Sequence, residues 1–293
     1  MSRAKIDLHI HSREGSDGRW TLREIFEEAH RRGLTLVSVT DHDSLGGQAQ
    51  ALELASGYGI GYVTGVELNV TFTHPDWTGG KPLSLDFLGY GVDISDDALN
   101  ARLEELRAYR RQRAAMILER INEAFARENR EPLTAADMAA IEAEADGSLG
   151  RPHIARYLVA KGIVATRQEA FDRYLVSCDV PKLPLGIEEA SALVRGAGGR
   201  IVLAHPDDPN GTSLVQAAGS LEDRARMIEE TMLPFIDGIE CWHTRHTERA
   251  ASFYRAFADR RGLIATGGSD CHQNPVIMGS VPVPDCVAGF FGV

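Results

Sequence analysis

Short apolar stretches that alternate with helix-forming segments constrain the fold of this 293-residue chain. Residues 6–11 form the first stretch, and an amphipathic pattern follows it, with Thr21 as the N-cap and Glu24 in the capping-box position. A second stretch at 36–40 and a third at 62–66 flank the next helix pattern. Repeated strand–helix units of this length predict a parallel sheet covered by helices, which is an α/β fold.

The strand–helix alternation is interrupted in the middle of the chain. Residues 95–130 predict one long helix with an apolar stripe and several arginines, and further helix patterns follow. The alternation resumes in the last third of the sequence. We therefore expect a discontinuous α/β domain made of residues 1–95 and 186–293, with a helical cap inserted at residues 96–185.

Composition limits the classes of function. The net charge of −11 argues against a protein that holds long nucleic acid, because such binding needs many phosphate contacts by Lys and Arg. The sequence contains neither a signal-peptide pattern nor an apolar run of about 18 residues, so we expect a cytoplasmic protein without a membrane partner. Four cysteines without a C-x-x-C pair predict no disulfide framework. The oligomeric state is not predicted.

Side chains that bind metal ions follow each predicted strand. His9 and His11 are two residues apart on a strand, so both imidazoles project from the same face. The carboxyl ends of parallel strands line one crevice, where such residues converge. Imidazoles and carboxylates together suit divalent Zn, Mn or Fe. The candidates are His9, His11, Asp17, His42, Glu67, His205, Glu240, His243, His246, Asp270 and His272.

Six motifs carry a family resemblance: HIHSREGSDG, TDHDSLGG, GVELNV, LAHP, GIECWHTRHT and GSDCH, in this order. Together they resemble the polymerase and histidinol phosphatase (PHP) superfamily of metal-dependent phosphoesterases. The inserted GRPHIARYLVAKG resembles the capped branch, which includes nucleotide-bisphosphate phosphatases and a small 5'-to-3' exoribonuclease. The resemblance implies a distorted (β/α)7 barrel that holds two or three divalent ions, with Mg as a further candidate metal.

The resemblance also implies a set of ligands, carried over by position. Glu67 would bridge the first and second ions. The implied ligands are His9, His11, Glu67 and Asp270 for the first ion, Glu67, His205 and one further residue for the second, and Asp17, His42 and His272 for the third.

Two positions depart from the family pattern. The loop before Asp17 has one residue more than usual, at Gly15 or a neighbour, so Asp17 reaches the third ion only if this loop folds outward. The segment SLDFLGYG carries Asp86 where the family usually has His. We expect Asp86 to be the further ligand, because a strand holds a side chain better than the Gly/Pro-rich loop that carries the alternative, His74.

Clustered divalent ions activate water near neutral pH and neutralise charge on phosphoryl oxygens, so we expect in-line hydrolysis of phosphate esters. His246, which matches a family histidine by position, or a metal-bound water is expected to assist the leaving group, whereas a structural role beside Trp242 is at least as compatible with His243. Arg151 and His153 of the GRPH segment are the candidates for contacting a second phosphate or a sugar.

The expected substrates are small phosphorylated metabolites, with nucleotides first: a 3',5'-bisphosphate or the 5' end of a short oligonucleotide. Histidinol phosphate is an alternative in the same class. CDVPKLPLG lacks an aromatic residue that close relatives have there, and if that residue stacks on a base, its absence argues against a nucleotide substrate. Barrel amidohydrolases are another class, but they typically use a carboxylated Lys, and no strand-end Lys occurs here. A metal-binding module without catalysis is the remaining alternative.

Overall fold

Two compact units make up the chain in the computed structural model, which describes residues 5–144 and 149–292. The first unit consists of Met1–Ala101 and Pro184–Val293, and the second consists of Arg102–Leu183. The second unit is helical and interrupts the first, whereas the sequence prediction places the insertion at 96–185.

The described residues of the first unit form eight strands in two sheets. One sheet pairs β1, β2 and β3 in parallel, and the other has the order β4-β5-β6-β7-β8, in which β5 is antiparallel to both neighbours. The predicted mixed α/β class is confirmed, with an antiparallel strand that the strand–helix alternation did not predict. The strands are β1 (Ile6–Ile10), β2 (Leu36–Val39), β3 (Gly61–Tyr62), β4 (Gly65–Phe72), β5 (Leu83–Tyr90), β6 (Arg200–Leu203), β7 (Gly238–His243) and β8 (Ile264–Gly268).

Helices of the first unit cover the sheets, and the capping box predicted at the start of the first helix is confirmed. Thr21 accepts the N–H of Glu24 at 3.3 Å, and the Glu24 carboxylate accepts the N–H of Thr21 at 2.8 Å. No helix of the described ranges is both long and apolar enough to cross a membrane. The α-helices of both units, in chain order, are α1 (Leu22–Arg32), α2 (Gln48–Tyr58), α3 (Pro75–Thr78), α4 (Asp97–Arg127), α5 (Ala135–Glu144), α6 (Arg151–Ala160), α7 (Arg167–Ala170), α8 (Ile187–Gly196), α9 (Leu221–Thr231) and α10 (Glu248–Arg261).

The apolar packing of Leu8 and Ile10 determines the face of β1 from which His9 projects. Leu8 and Ile10 are fully buried in two separate apolar clusters, one with Leu36 and Tyr90 and the other with Phe26. His9 lies between Leu8 and Ile10, so strand alternation points its ring to the opposite face. The core therefore fixes the direction of the first candidate ligand.

Isolated bridges link the two sheets at the ends of their strands. Ile10 pairs with Cys271 and His42 pairs with Glu67, both in parallel. Gly268 lies against β1 so closely that a methyl group on it would be 2.4 Å from the backbone nitrogen of His9. Glycine at this position allows the end of β8 to reach the first histidine.

We expect Gly268→Ala to lower the free energy of unfolding by about 1–3 kcal/mol, because an added methyl group in a filled space forces the backbone to shift. Gly196→Ala is the matched control, since a methyl group at that position of α8 meets no atom within 4 Å. Urea unfolding followed by circular dichroism measures both variants. Equal stabilities would contradict the close approach of β1 and β8.

Candidate metal centre

Histidine and carboxylate side chains from six strands and the loops after them form four groups. Within each group the possible ligand atoms lie within 4.8 Å of one another. Shared residues join the groups into one assembly, which we call the His–carboxylate cluster. The groups are His11–Asp17–His42–His272, His9–His11–Asp270, His9–Glu67–His205 and His9–Glu240–His243, and they include every predicted metal ligand except Asp86.

Glu67 is the central carboxylate of the cluster. Its oxygens lie 2.9 Å from His42 Nδ1, 3.1 Å from His205 Nε2 and 3.4 Å from the Nε2 atoms of His9 and His11. Burial favours the neutral form of Glu67, but His42 and His9 outweigh it and hold its pKa well below the ordinary value. Glu67 is therefore ionised and shared by four imidazoles.

Asp270 faces the histidines of β1 from the segment after β8. Its Oδ1 lies 3.2 Å from His11 Nε2 and 3.6 Å from His9 Nε2. Asp270 has a φ of 55° and His205 a φ of 24°, so both adopt the left-handed region that non-glycine residues rarely occupy. Such conformations persist where the surrounding structure fixes a side chain for function.

The loop after β1 brings Asp17 into the cluster despite its extra residue. Asp17 Oδ1 lies 3.1 Å from His272 Nε2 and 3.8 Å from His42 Nε2. His11 belongs to the same group, and its ring stacks on that of His272 with 4.1 Å between centroids. The extra residue therefore leaves Asp17 within reach of the residues predicted to share its ion.

Two ring nitrogens of the cluster suit a bound cation. The Nε2 atoms of His9 and His11 are buried and form no hydrogen bond with any residue that the structure describes. Each lies 3.2–3.6 Å from a carboxylate oxygen. Buried polar atoms without partners are costly, and neutral imidazole with carboxylate oxygen is a donor set for divalent Zn, Mn or Fe. The residues present therefore fit metal ions.

Glu240 orients two histidines of the cluster. One oxygen of its buried carboxylate lies 3.0 Å from His9 Nδ1, and the other accepts the backbone N–H of His205 at 2.8 Å. With Nδ1 engaged, His9 presents Nε2 to Glu67. A carboxylate on the far nitrogen of a metal-binding imidazole is the common arrangement. Glu240 was among the candidates from the sequence, but the ligand set implied by the family resemblance left it out, and its place inside an apolar strand is the signal of a buried polar role.

His243 also faces the cluster, which the sequence alone did not decide. Its Nδ1 accepts the N–H of Arg245 at 3.3 Å, and its Nε2 lies 3.6 Å from Asp270 Oδ2. Because Nδ1 accepts a hydrogen bond, Nε2 carries the proton in the neutral ring. His243 therefore directs an N–H towards Asp270.

Asp86 lies beside the cluster with both carboxylate oxygens engaged. Asn69 donates to Oδ1 at 2.6 Å and the Thr212 hydroxyl donates to Oδ2, which lies 3.9 Å from His205 Nε2. Burial raises the pKa of Asp86 to about 6. The alternative ligand, His74, caps α3 by accepting the N–H of Asp76 at 3.3 Å and belongs to none of the four groups.

His246 lies in the loop after β7, with both ring nitrogens hydrogen-bonded to the main chain. Its Nδ1 donates to the carbonyl of Cys241 at 3.0 Å, and its Nε2 accepts the backbone N–H of Asp207 at 3.2 Å. Burial lowers the pKa of His246 to about 4, so the ring is neutral near pH 7. In the neutral ring the proton lies on Nδ1, within the hydrogen bond to Cys241. The predicted role of His246 in assisting the leaving group stays a prediction.

Arg151 and His153 lie in the first turn of α6, in the second unit. Arg151 pairs with Asp179 at 2.8 Å, and Asp179 also pairs with Arg113 at 2.5 Å. His153 Nδ1 accepts the N–H of Gly150 at 3.1 Å. Within this unit Asp179 thus brings two guanidinium groups together beside the start of α6.

Comparison with known proteins identifies the family. The PHP domain matches residues 7–174, more than half of the chain. This chain belongs to the PHP domain family. A 3',5'-nucleoside bisphosphate phosphatase of Chromobacterium violaceum is 31% identical to the PHP chain over 289 residues, with 92% of this chain and 87% of the relative covered. A 5'-3' exoribonuclease of Haemophilus influenzae is 32% identical over 209 residues, with 69% of each protein covered.

A solved structure has the same fold. A protein of Bifidobacterium adolescentis, assigned as a metal-dependent phosphoesterase, gives a TM-score of 0.75 at 29% identity and covers 97% of this chain and 94% of its own. The family resemblance drawn from the six motifs is confirmed. The PHP chain is an enzyme of the metal-dependent phosphoesterase class, which hydrolyses phosphate esters.

We expect Mn²⁺ binding at about pH 7.5 to release at least two protons, because ligand imidazoles must be neutral. Burial disfavours protonation of His42 and His205, but Glu67 and other carboxylates outweigh it and raise their pKa values to about 10 and about 9. Both rings are therefore protonated in the metal-free protein at this pH. Their ion pairs contribute to the free energy of unfolding, fully below pH 6.5, and this contribution is lost as the pH rises through about 9 and about 10.

Isothermal titration calorimetry in two buffers of different ionisation enthalpy measures this release. A binding enthalpy that is the same in both buffers would contradict protonated His42 and His205.

Proposed function

We propose that this PHP enzyme binds three divalent ions and hydrolyses phosphate esters of small phosphorylated metabolites. The leading substrates are nucleotides, either a 3',5'-bisphosphate or the 5' end of a short oligonucleotide. The observation that carries the proposal is the His–carboxylate cluster, in which four ligand groups are joined through shared residues. The relatives named as a nucleoside bisphosphate phosphatase and an exoribonuclease support the nucleotide class.

A distorted seven-stranded barrel is the arrangement that we propose for the strands. The two sheets supply the neighbours β1–β2 and β4-β5-β6-β7-β8. The Ile10–Cys271 bridge connects β1 to the end of β8, and the His42–Glu67 bridge connects the end of β2 to β4. These links support a ring in the order β2-β1-β8-β7-β6-β5-β4, with β3 outside it.

We propose the three ligand sets that the family resemblance implies, whose members all lie in the four groups except Asp86, which lies beside them. Glu67 is the residue that two ions share, because it is the carboxylate that contacts imidazoles from three different parts of the chain. When bound, such ions act as Lewis acids and activate water. The proposed ligands are His9, His11, Glu67 and Asp270 for the first ion, Glu67, Asp86 and His205 for the second, and Asp17, His42 and His272 for the third.

Charge supports the need for metal ions at this site. The carboxylates of Glu67, Asp270 and Asp17 all have pKa values well below their ordinary range, so they are ionised. An anionic phosphate ester would be repelled by these carboxylates alone, and bound divalent ions reverse the local field. The chain's own residues thus hold the ions, and the ions make the site attractive to phosphate.

We assign the histidine that faces the reacting phosphate to His243 rather than His246. His243 directs Nε2 towards Asp270, whereas both nitrogens of His246 are bonded to the main chain. In the second unit, Arg151 and His153 are proposed to bind a second phosphate or the sugar. The guanidinium of Arg151 suits bidentate contact with phosphate oxygens.

Histidinol phosphate is the alternative substrate, favoured by the missing aromatic residue in CDVPKLPLG. A panel of a 3',5'-bisphosphate, a nucleoside monophosphate, a short 5'-phosphorylated oligonucleotide and histidinol phosphate, each assayed with Mn²⁺, distinguishes the substrates. Turnover of histidinol phosphate alone would favour the alternative. No turnover of any of them would contradict the proposed function and favour a metal-binding module.

We expect the purified protein to contain about three ions per chain, and Asp270→Ala to lose at least one of them. Turnover should fall roughly 1000-fold in this variant, because the ion held by Asp270 stabilises the transition state. Asp259→Ala is the control, since Asp259 is an exposed carboxylate of α10. Elemental analysis and turnover measure the effect, and full metal content with unchanged turnover in Asp270→Ala would contradict the assignment.

We expect Arg151→Ala to raise the KM of a 3',5'-bisphosphate about 10-fold or more, because it removes a charge-assisted hydrogen bond to phosphate. The KM of a monophosphate should change much less. Arg156→Ala is the matched control, an exposed arginine of the same helix α6. Steady-state kinetics with both substrates test this, and an equal rise for both would contradict recognition of a second phosphate.

A further inference from the structure

Asp41 is a buried carboxylate that belongs to none of the four groups of the cluster, although His42, the next residue in the chain, belongs to one of them. Its Oδ1 accepts the N–H of Ser12 and the hydroxyl of Ser16, both at 2.7 Å. Its Oδ2 accepts the hydroxyl of Ser12 at 2.6 Å. Asp41 follows β2 closely, so these bonds tie the loop after β1 to the end of β2.

Ser16 connects Asp41 to the ring of His11. His11 Nδ1 lies 3.3 Å from the Ser16 hydroxyl oxygen, and this hydroxyl donates its hydrogen to Asp41. The oxygen therefore accepts from Nδ1, which carries the proton. His11 Nε2 is then left with its lone pair and lies 3.2 Å from Asp270 Oδ1. The chain of bonds selects the tautomer that a metal ligand needs.

The same bonds hold two further residues of the group His11–Asp17–His42–His272. Asp17 directly follows Ser16, and His42 directly follows Asp41. Asp17 Oδ1 and His42 Nε2 lie 3.8 Å apart, and Asp17 reaches His272 at 3.1 Å. The contact between Asp41 and Ser16 thus sets the separation of two candidate ligands that come from different strands.

Gly15 shows how the loop accepts its extra residue. A methyl group on Gly15 would lie 2.2 Å from Asp41 Oδ2, so the backbone at this position packs directly on the carboxylate. The N–H of Gly15 donates to the Ser12 hydroxyl at 3.3 Å. The extra residue is absorbed by closing the loop over Asp41, which keeps Asp17 in the cluster.

We propose that Asp41 is a positioning residue that acts through Ser16 on His11, a proposed ligand of the first ion, and on Asp17, a proposed ligand of the third ion. This inference rests on the proposed function, because it requires ions held by His11 and Asp17. Loss of the contact between Asp41 and Ser16 weakens binding of the first and third ions and leaves the site of His205 and Asp86 unaffected. Asp41 itself contacts neither ion nor substrate.

The test compares Ser16→Ala and Asp41→Asn with a matched control, Ser38→Ala. Ser38 is a buried serine of β2 whose hydroxyl has no hydrogen-bond partner among the residues described. Calorimetric titration with Mn²⁺ gives the affinity of each site, and elemental analysis gives the number of bound ions. We expect the sites of the first and third ions to weaken about 10- to 100-fold in both test variants, whereas the second site, and all sites of the control, keep wild-type affinity.

Wild-type affinity at all three sites in both test variants would overturn the inference. Equal weakening of all sites would also overturn it, because it indicates a general structural effect. Should Asp41→Asn not fold, Ser16→Ala decides alone, since it leaves both bonds between Asp41 and Ser12 intact. A wild-type protein that binds no third ion contradicts the proposed function itself, whereas unchanged variants of a three-ion protein contradict only the role of Asp41.

Discussion

The burial of one ionised carboxylate, that of Glu67, is the constraint on which the rest of the centre depends. Such a group is tolerated away from water only when several donors or positive charges surround it. Imidazoles from the β1 region, from the end of β2 and from the end of β6 meet this requirement. Two of these imidazoles have a partner on the far nitrogen, Glu240 for His9 and Ser16 for His11.

Hydrogen bonds behind the cluster also explain why the end of β8 lies so close to β1. A second buried carboxylate, Asp7, accepts the N–H and the hydroxyl of Ser269 at 2.8 and 2.6 Å and the N–H of Gly279 at 2.7 Å. These bonds fix the segment that carries Asp270 against β1. Asp7 and Asp41 therefore act at opposite sides of the two histidines of β1, each holding one loop that delivers a carboxylate.

Much of this arrangement was predictable from the sequence, because it follows from periodicity and topology. The pattern of β1 indicates that His9 and His11 share a face, and parallel strands bring distant residues such as His42 to the same end. Thr21 and Glu24 identify the start of α1 because capping depends on residues three apart. These features depend on local spacing or on a rule of connection, both of which the sequence contains.

The remainder depends on which nitrogen or oxygen of a side chain faces inward, and spacing carries no such information. His243 and His246 are three apart on the same segment, yet one is turned to Asp270 and the other is bonded to Asp207 and Cys241 through the main chain. Glu240 resembles a ligand in sequence but orients His9 instead. Contacts between residues far apart in the chain decide these roles.

The interruption of the first unit has an evolutionary consequence. Every residue of the four groups lies in Met1–Ala101 or Pro184–Val293, and Arg102–Leu183 supplies none of them. Where the chain re-enters the first unit, the backbone N–H of Thr71 donates to the carbonyl of Leu185 at 2.8 Å. This hydrogen bond ties the re-entering segment to β4. Substitutions or insertions within the helical unit would leave the order of the metal-binding motifs, and the spacing inside each motif, intact. The residues of the four groups could thus be retained while the inserted segment varies.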